Sequence, residues 1–259
     1  MPLPITLVSD LNTIFSGLAG AGSSYSTLRG QGKQFEFWLT MRFAQRCIAE
    51  GHTVEVRRGD DTVIDAANPG VFYVRGGPGA IHGLNPKAPG FIWVKTSSDE
   101  YEIHGSLQYI GRSGARHEYD ISVLPRSIGD ALRTAPGGRA QGGRPYGLPI
   151  IGIECKDKAN NAPLDEMRAC IARLFDNTVL NKGMCCADNQ WTSLTYGAAQ
   201  VRYVDAFKAG FFAVARVGGF QKGAETLASH FHIDTLENMY APSASDLVAL
   251  EDGIAKHLP

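Results

Sequence analysis

The chain contains 259 residues with a formal net charge of −1 and 44% hydrophobic residues, which fits one large globular domain rather than a strongly basic nucleic-acid-binding chain. No apolar run approaches the ~20 residues that a membrane span requires, and the N-terminus lacks a basic leader, so we expect a cytoplasmic protein with no membrane partner. The five cysteines are odd in number and form no Cys-x-x-Cys pair, which argues against a disulfide framework and a structural zinc site.

Hydrophobic periodicity predicts helices and strands in a mixed order along the chain. Helical segments carry apolar residues at i, i+3 and i+4, and strand segments alternate or are rich in β-branched residues. The predicted helices cover residues 9–18, 33–50, a segment opening at 160–163, residues 223–231 and a last helix capped by Ser245. The predicted strands cover residues 52–57, 71–74, 91–94, 107–110, 117–124, 150–156 and 210–217. This order predicts an α/β fold with a central mixed β-sheet flanked by helices.

The strand at residues 150–156 is the most informative segment. Side chains alternate between the two faces of a strand, so Glu154 and Lys156 point the same way and Cys155 points the other way. Residues 150–153 are continuously apolar, as in a strand buried on both faces. A charged pair at the exit of a buried strand favours a functional role. The alternative is an ordinary surface salt bridge between Glu154 and Lys156 on an edge strand.

Asp120, in the preceding predicted strand, supplies a second carboxylate. Magnesium binds oxygen ligands, commonly one or two carboxylates together with waters and substrate phosphate. If the two strands are neighbours, Asp120 and Glu154 would hold the metal, and the carbonyl oxygen of Cys155 would be a further ligand. Lys156 would orient the attacking water or stabilise charge on the phosphate. A desolvated lysine near a metal would have a lowered pKa and could then act as a base.

Glu36 is a third candidate acid. It lies in the predicted helix 33–50, on a face that is mostly apolar. A carboxylate in such surroundings is costly unless it is paired or metal-bound. The alternative to a role at the site is a simple ion pair with Lys33 or Arg42.

These segments together resemble the PD-(D/E)XK nuclease superfamily and, within it, the Mrr-like restriction endonucleases. Four pieces match in order: Gln34-Phe35-Glu36-Phe37-Trp38, the segment Asp120-Ile121-Ser122-Val123-Leu124, Ile153-Glu154-Cys155-Lys156 with the helix opening at Pro163, and residues 210–214 with the turn and helix at 219–224. The resemblance implies a restriction-endonuclease-like core and Mg²⁺-dependent hydrolysis of DNA, with Mn²⁺ able to substitute. Carried over, Asp120 and Glu154 would be metal ligands, Lys156 the catalytic lysine, and Glu36 an accessory acid and potential ligand.

The resemblance also suggests how the single domain is organised. It would contain an N-terminal extension at 1–32, a nuclease core at 33–57 and 117–237, an inserted β-rich segment at 60–116 and a C-terminal helix at 243–259. The leading hypothesis is a metal-dependent endodeoxyribonuclease in restriction or phage defence. We expect a dimer or higher homo-oligomer, because one such site cuts one strand.

Two other functions stay open from the residues. The first is a nuclease effector that a nucleotide or a partner protein activates, with residues 60–116 as the sensor. The second is a nuclease-fold protein that binds DNA without cleaving it.

Several loops carry arginines beside the expected site. Residues 111–116 and the link that carries Arg133, Arg139 and Arg144 are rich in glycine and basic residues, and they would either contact phosphates or be solvated turns. Residues 75–79, Arg-Gly-Gly-Pro-Gly, lack the Lys-Ser/Thr of a P-loop and are expected to form a turn.

Overall fold

The computed structural model describes residues 5–134, 142–178, 207, 209–240 and 245–258. Within these ranges the helices are α1 (Ile5–Ala19), α2 (Gln31–Ala49), α3 (Arg126–Thr134), α4 (Leu164–Asn177), α5 (Lys222–His230) and α6 (Ser245–His257). The strands are β1 (Ser24–Tyr25), β2 (Thr53–Arg57), β3 (Val63–Ile64), β4 (Val71–Phe72), β5 (Phe91–Lys95), β6 (Glu100–Ile110), β7 (Arg116–Pro125), β8 (Ile151–Lys156), β9 (Phe211–Arg216) and β10 (Ile233–Leu236).

A mixed eight-stranded sheet organises the molecule, in the order β10-β9-β8-β7-β6-β5-β2-β3. Neighbouring strands are antiparallel from β3 to β8, and β8, β9 and β10 are parallel. A short parallel pair, β1 and β4, lies apart from this sheet. The predicted α/β class with a mixed central sheet is therefore confirmed.

Helices cover both faces of the sheet. One hydrophobic cluster joins α1, α2 and α6 to one face, and it contains Phe35 and Trp38 of α2 and Ile153 of β8. A second cluster joins α3, α4 and α5 to the other face, and it contains the predicted apolar stripe of α4 at Met167, Ile171 and Leu174. Strand β8 is buried along most of its length because apolar helices pack on both of its sides.

Residues 60–116, predicted as an inserted β-rich segment, contain β3 to β6, and three of these strands belong to the central sheet. Strands β5 and β6 are interior strands of the central sheet, and β6 is hydrogen-bonded directly to β7. β2, which was expected to belong to the nuclease core, is separated from β7 by β5 and β6. The sequence conceals this arrangement because buried Glu102 and His104 interrupt the apolar pattern of β6, so that only residues 107–110 have the pattern of a strand.

Two further elements differ from expectation. Helix α3 was not predicted and contains Arg133, which was placed in a loop. Strand β10 was also not predicted, and it extends the parallel part of the sheet. Residues 135–141 of the predicted link, among them Arg139, lie outside the described residues. No helix in the described ranges is long and apolar enough to cross a membrane.

Candidate active site

Asp120 and Glu154 lie on neighbouring strands in the middle of the sheet. β7 and β8 pair antiparallel with Ile121 opposite Ile153, so the next pair along the ladder is Asp120 and Glu154. The main-chain N–H of Cys155 donates to Asp120 Oδ2 over 2.7 Å. The two acids are largely buried, at 7% and 9% exposure. The predicted adjacency is confirmed, and the edge-strand alternative is wrong because β8 lies between β7 and β9.

The side chains of β8 alternate as expected. The Cys155 side chain packs in the first hydrophobic cluster, where burial raises the pKa of its thiol. On the other face, Lys156 Nζ forms an ion pair with Glu154 Oε1 and lies 3.9 Å from Asp120 Oδ2. Lys156 therefore pairs with both carboxylates that were predicted to act with it.

Negative charge accumulates at Asp120. Burial, together with the nearby carboxylates of Glu154 and Glu36, raises the pKa of Asp120 to about 8, against the opposing effects of Lys156 and the Cys155 amide. Burial lowers the pKa of Lys156, but Glu154 and Asp120 outweigh burial and the pKa is raised. The two carboxylates therefore favour the protonated lysine in the free protein, and the lowered pKa expected beside a bound metal stays a prediction.

Glu36 reaches the site from the first turns of α2. Lys33 Nζ lies 2.5 Å from Glu36 Oε2, and the Ser106 hydroxyl donates to the same oxygen over 3.1 Å. Burial raises the pKa of Glu36, although Lys33 opposes this effect. The ion pair with Lys33 that we considered is present, whereas Arg42 pairs with Glu251 at 2.9 Å. Glu36 nevertheless acts electrostatically on Asp120.

The sheet is distorted where these acids meet. Ile103 packs in the first cluster and Leu107 in the second, although strict alternation would put both on one face. Ser106, between them, has φ of 50°, a conformation rare for a residue with a side chain. Ser106 is the residue of β6 opposite Asp120. This reversal of faces brings Glu36, from one side of the sheet, and Glu154, from the other, close to Asp120.

Sequence reasoning missed Arg173 and Glu118. Arg173 of α4 forms an ion pair with Glu154 Oε2 at 2.9 Å, and Glu118 Oε1 lies 3.7 Å from Lys33 Nζ. Glu118 could have been noticed because it stands two residues before Asp120. Arg173 lies beside the apolar stripe of α4, but its partner on β8 is decided only by how the helix packs.

A cavity of about 380 Å³ adjoins Glu154 and Lys156. Residues of α4, including Met167 and Arg173, form one wall, and Val214 and Phe220 contribute apolar surface. This volume lies in the range of small-ligand sites. The face of β8 that presents the charged pair is therefore accessible beside α4.

Two of the predicted basic residues are used in the fold. Arg112 Nη2 donates to the main-chain oxygen of Phe175 over 2.9 Å, which fixes the β6–β7 loop to the end of α4. Arg133 Nη1 donates to Glu102 over 2.9 Å inside the sheet–helix interface. Both guanidinium groups therefore have hydrogen-bond partners within the fold.

The donor set suits a divalent cation that prefers oxygen. Two carboxylates converge, and one of them is oriented by a main-chain amide. Among the described residues, no group of three or more His, Cys, Asp or Glu side chains is arranged to hold a metal ion. Magnesium sites do not require such a group, because waters and substrate phosphates complete the coordination.

Comparisons with models of protein families, with curated proteins and with solved structures find no match for this chain.

Proposed function

We propose that this protein is a Mg²⁺-dependent endonuclease that hydrolyses DNA phosphodiester bonds, as in restriction or phage defence. The observation that carries the proposal is the placement of Asp120 and Glu154 opposite each other on adjacent interior strands, with Lys156 in contact with both. The resemblance of the sequence to PD-(D/E)XK nucleases supports the same conclusion.

Asp120 and Glu154 would hold the cation, with the Cys155 carbonyl oxygen and Glu36 as further candidate ligands. Mn²⁺ would substitute, since carboxylate, carbonyl and water oxygens suit both ions. When bound, Mg²⁺ would supply charge neutralisation at the phosphate and activation of the attacking water. The surroundings of Asp120 fit this role, because its raised pKa comes from burial and from the carboxylates of Glu154 and Glu36, whose charge a cation would neutralise.

Lys156 would act as a protonated group. Its raised pKa favours stabilisation of charge on the phosphate or orientation of the water over removal of a proton. Arg173 would be a positioning residue, since its guanidinium holds the second oxygen of Glu154. Glu36, tied to Lys33 and Ser106, would adjust the charge around Asp120 from the opposite face of the sheet.

Cutting both strands of a duplex would require a second site, so we propose that the protein acts as a homodimer or a higher oligomer. A DNA-binding protein that does not cleave is the second candidate function. It is favoured by one observation, namely that Lys156 and Arg173 between them contact both oxygens of Glu154.

The experiment is cleavage of supercoiled plasmid by the purified protein with Mg²⁺, Mn²⁺ or EDTA. Asp120→Ala and Lys156→Ala should abolish metal-dependent nicking, whereas Lys95→Ala, which removes an exposed lysine at the far end of β5, should retain it. The melting temperature is measured in parallel, because a metal that binds the folded state raises it.

The outcomes separate the candidates. Metal-dependent cleavage that is lost in both variants supports the nuclease and its site. An absence of cleavage with a melting temperature that Mg²⁺ still raises supports the metal site and an activated or non-cleaving protein. An absence of both effects refutes the proposed site.

A further inference from the structure

A row of positive charge lies beside the proposed site, along the β6–β7 hairpin. The row begins at Arg75, whose side chain is buried and which is 7% exposed. Arg75 Nε donates to the main-chain oxygen of Gly105 over 3.0 Å, and Nη1 donates to that of Ala80. The buried Arg133 and Arg216 instead donate to carboxylates. Arg75 thus donates these hydrogen bonds to neutral carbonyl groups, and the nearby carboxylate of Glu118 acts on its guanidinium electrostatically.

Arg144 and Arg116 continue the row. Arg144 Nε donates to Gln108 Oε1 over 2.9 Å, and Gln108 stands opposite Glu118 in the ladder. Arg116 is exposed and pairs across the hairpin with Ile110. The loop that carries Arg144 is anchored to β6, because the Ile110 amide donates to the main-chain oxygen of Pro145 over 2.9 Å. The main chain that carries both arginines is therefore fixed relative to β6 and β7.

These groups are close enough to act on one another. The pKa of Arg75 is lowered to about 10, mainly by burial; the carboxylate of Glu118 opposes this change, and the positive charge of Arg144 adds to it. Burial and Arg116 lower the pKa of Arg144, and burial together with Arg75 and Arg144 lowers the pKa of His82. Gathering like charges in this way is unfavourable in the free protein, and an anion bound there would relieve the repulsion.

We propose that Arg75, Arg144 and Arg116 bind the phosphodiester backbone of the nucleic-acid strand whose cleavage is proposed above, so that the strand leaves the carboxylates along the β6–β7 hairpin. Arg116 is four residues from Asp120 on β7, about 13 Å, which along the axis of a DNA duplex corresponds to about four phosphates of one strand. The inference rests on the proposed function for the identity of the ligand. Arg133 is not part of this row, because its guanidinium donates to the buried carboxylate of Glu102.

The test is binding of a fluorescein-labelled 20-base-pair duplex in EDTA, followed by anisotropy over a series of salt concentrations. Arg116→Gln and Arg144→Gln should weaken binding, and each should make the slope of log K against log salt less steep by about 0.9, the value for one lost phosphate contact. Arg46→Gln is the matched control. Arg46 lies 13 residues beyond Lys33 on α2, about 20 Å along the helix axis, and the slope should not change.

Arg75 is buried, so the more accessible Arg116 and Arg144 variants carry the test, and their melting temperatures verify that they fold. Wild-type binding with an unchanged slope in both variants overturns the inference, even if the plasmid is cleaved normally. An absence of duplex binding by the wild-type protein also overturns it. If the slope of log K against log salt is less steep in both variants, the inference is supported even when no cleavage is found. In that case the nuclease proposal fails separately.

Discussion

Replacement of Arg133 by methionine tests how the strand beside the proposed site is held. Glu102 of β6 is 0% exposed, and its carboxylate is surrounded by Arg133, Arg126 and His104. Arg133 Nη1 donates to it over 2.9 Å, and His104 Nε2 lies 2.7 Å from it. Arg133→Met would leave this buried carboxylate without its main partner.

The expected loss is about 3–5 kcal/mol in the free energy of unfolding, the usual effect of removing one partner of a buried ion pair. At ~2–4 °C per kcal/mol for a chain of this size, the melting temperature should fall by roughly 6–20 °C. Arg126 remains 3.1 Å from Glu102 and favours the lower part of the range. Urea unfolding followed by circular dichroism measures the free energy directly.

Arg168→Met is the matched control. Its side chain is 63% exposed, and it pairs with Asp165 at 2.8 Å on the surface of α4. Exposed ion pairs contribute about 0–1 kcal/mol, so this variant should unfold nearly as the wild-type protein does. The double variant Glu102→Gln with Arg133→Met should recover part of the loss, because no buried charge is left unpaired. A loss under 1 kcal/mol in Arg133→Met alone would refute the reasoning.

Three other predictions concern the site and the buried network. Arg173→Met should lower cleavage 10–100-fold because Glu154 loses its orientation, and partial recovery in Arg173→Lys would distinguish positioning from general loss of fold. Asp120→Asn should abolish the rise in melting temperature with Mg²⁺, while in EDTA it should unfold no earlier than wild type, because it removes a carboxylate that faces Glu154 and Glu36. If Mg²⁺ still stabilises that variant, the ligand assignment is wrong. Burial lowers the pKa of His104, so below about pH 6.5 the unfolded chain binds a proton that the folded chain does not, and the melting temperature should decrease. His104→Gln should remove most of this decrease, and an unchanged pH profile would contradict the assignment.

Acidification below pH 5 should add a second loss of stability. Burial raises the pKa of Glu102, but the hydrogen bonds from Arg133 and His104 outweigh burial and the pKa is lowered. A carboxyl with a lowered folded-state pKa stabilises the protein above its unfolded value, near 4.3, and that contribution is lost as the pH falls through the folded value. Both groups therefore act in the same direction.

Much of the fold followed from local patterns. Helix α2 was predicted within two residues at each end, because aromatic and aliphatic residues recur with helical spacing and Gly51 ends the pattern. Strand β8 was predicted from a continuous apolar run, and it is buried on both faces as that run implies. These signals are readable because each depends only on residues close together in the chain.

The parts that were missed depend on partners distant in sequence. β6 reads poorly as a strand because Glu102 and His104 occupy interior positions, and their burial is tolerable only through Arg133 and Arg126 of α3. Arg173 reads as an ordinary helix residue until α4 packs on β8. No pattern in the sequence around Ser106 predicts that the side chains of β6 change from one face of the sheet to the other at that residue.

By itself, the sequence determined the α/β class, the buried strand that presents Glu154 and Lys156 on one side, and the candidate acids at positions 36 and 120. Only the tertiary structure decided that Asp120 and Glu154 lie on adjacent strands, that Lys156 pairs with both of them, and that β5 and β6 belong to the central sheet. The physical reason is that alternation and helical periodicity are fixed by backbone geometry within a segment. Strand register, ion pairing and desolvation instead depend on which segments pack against each other.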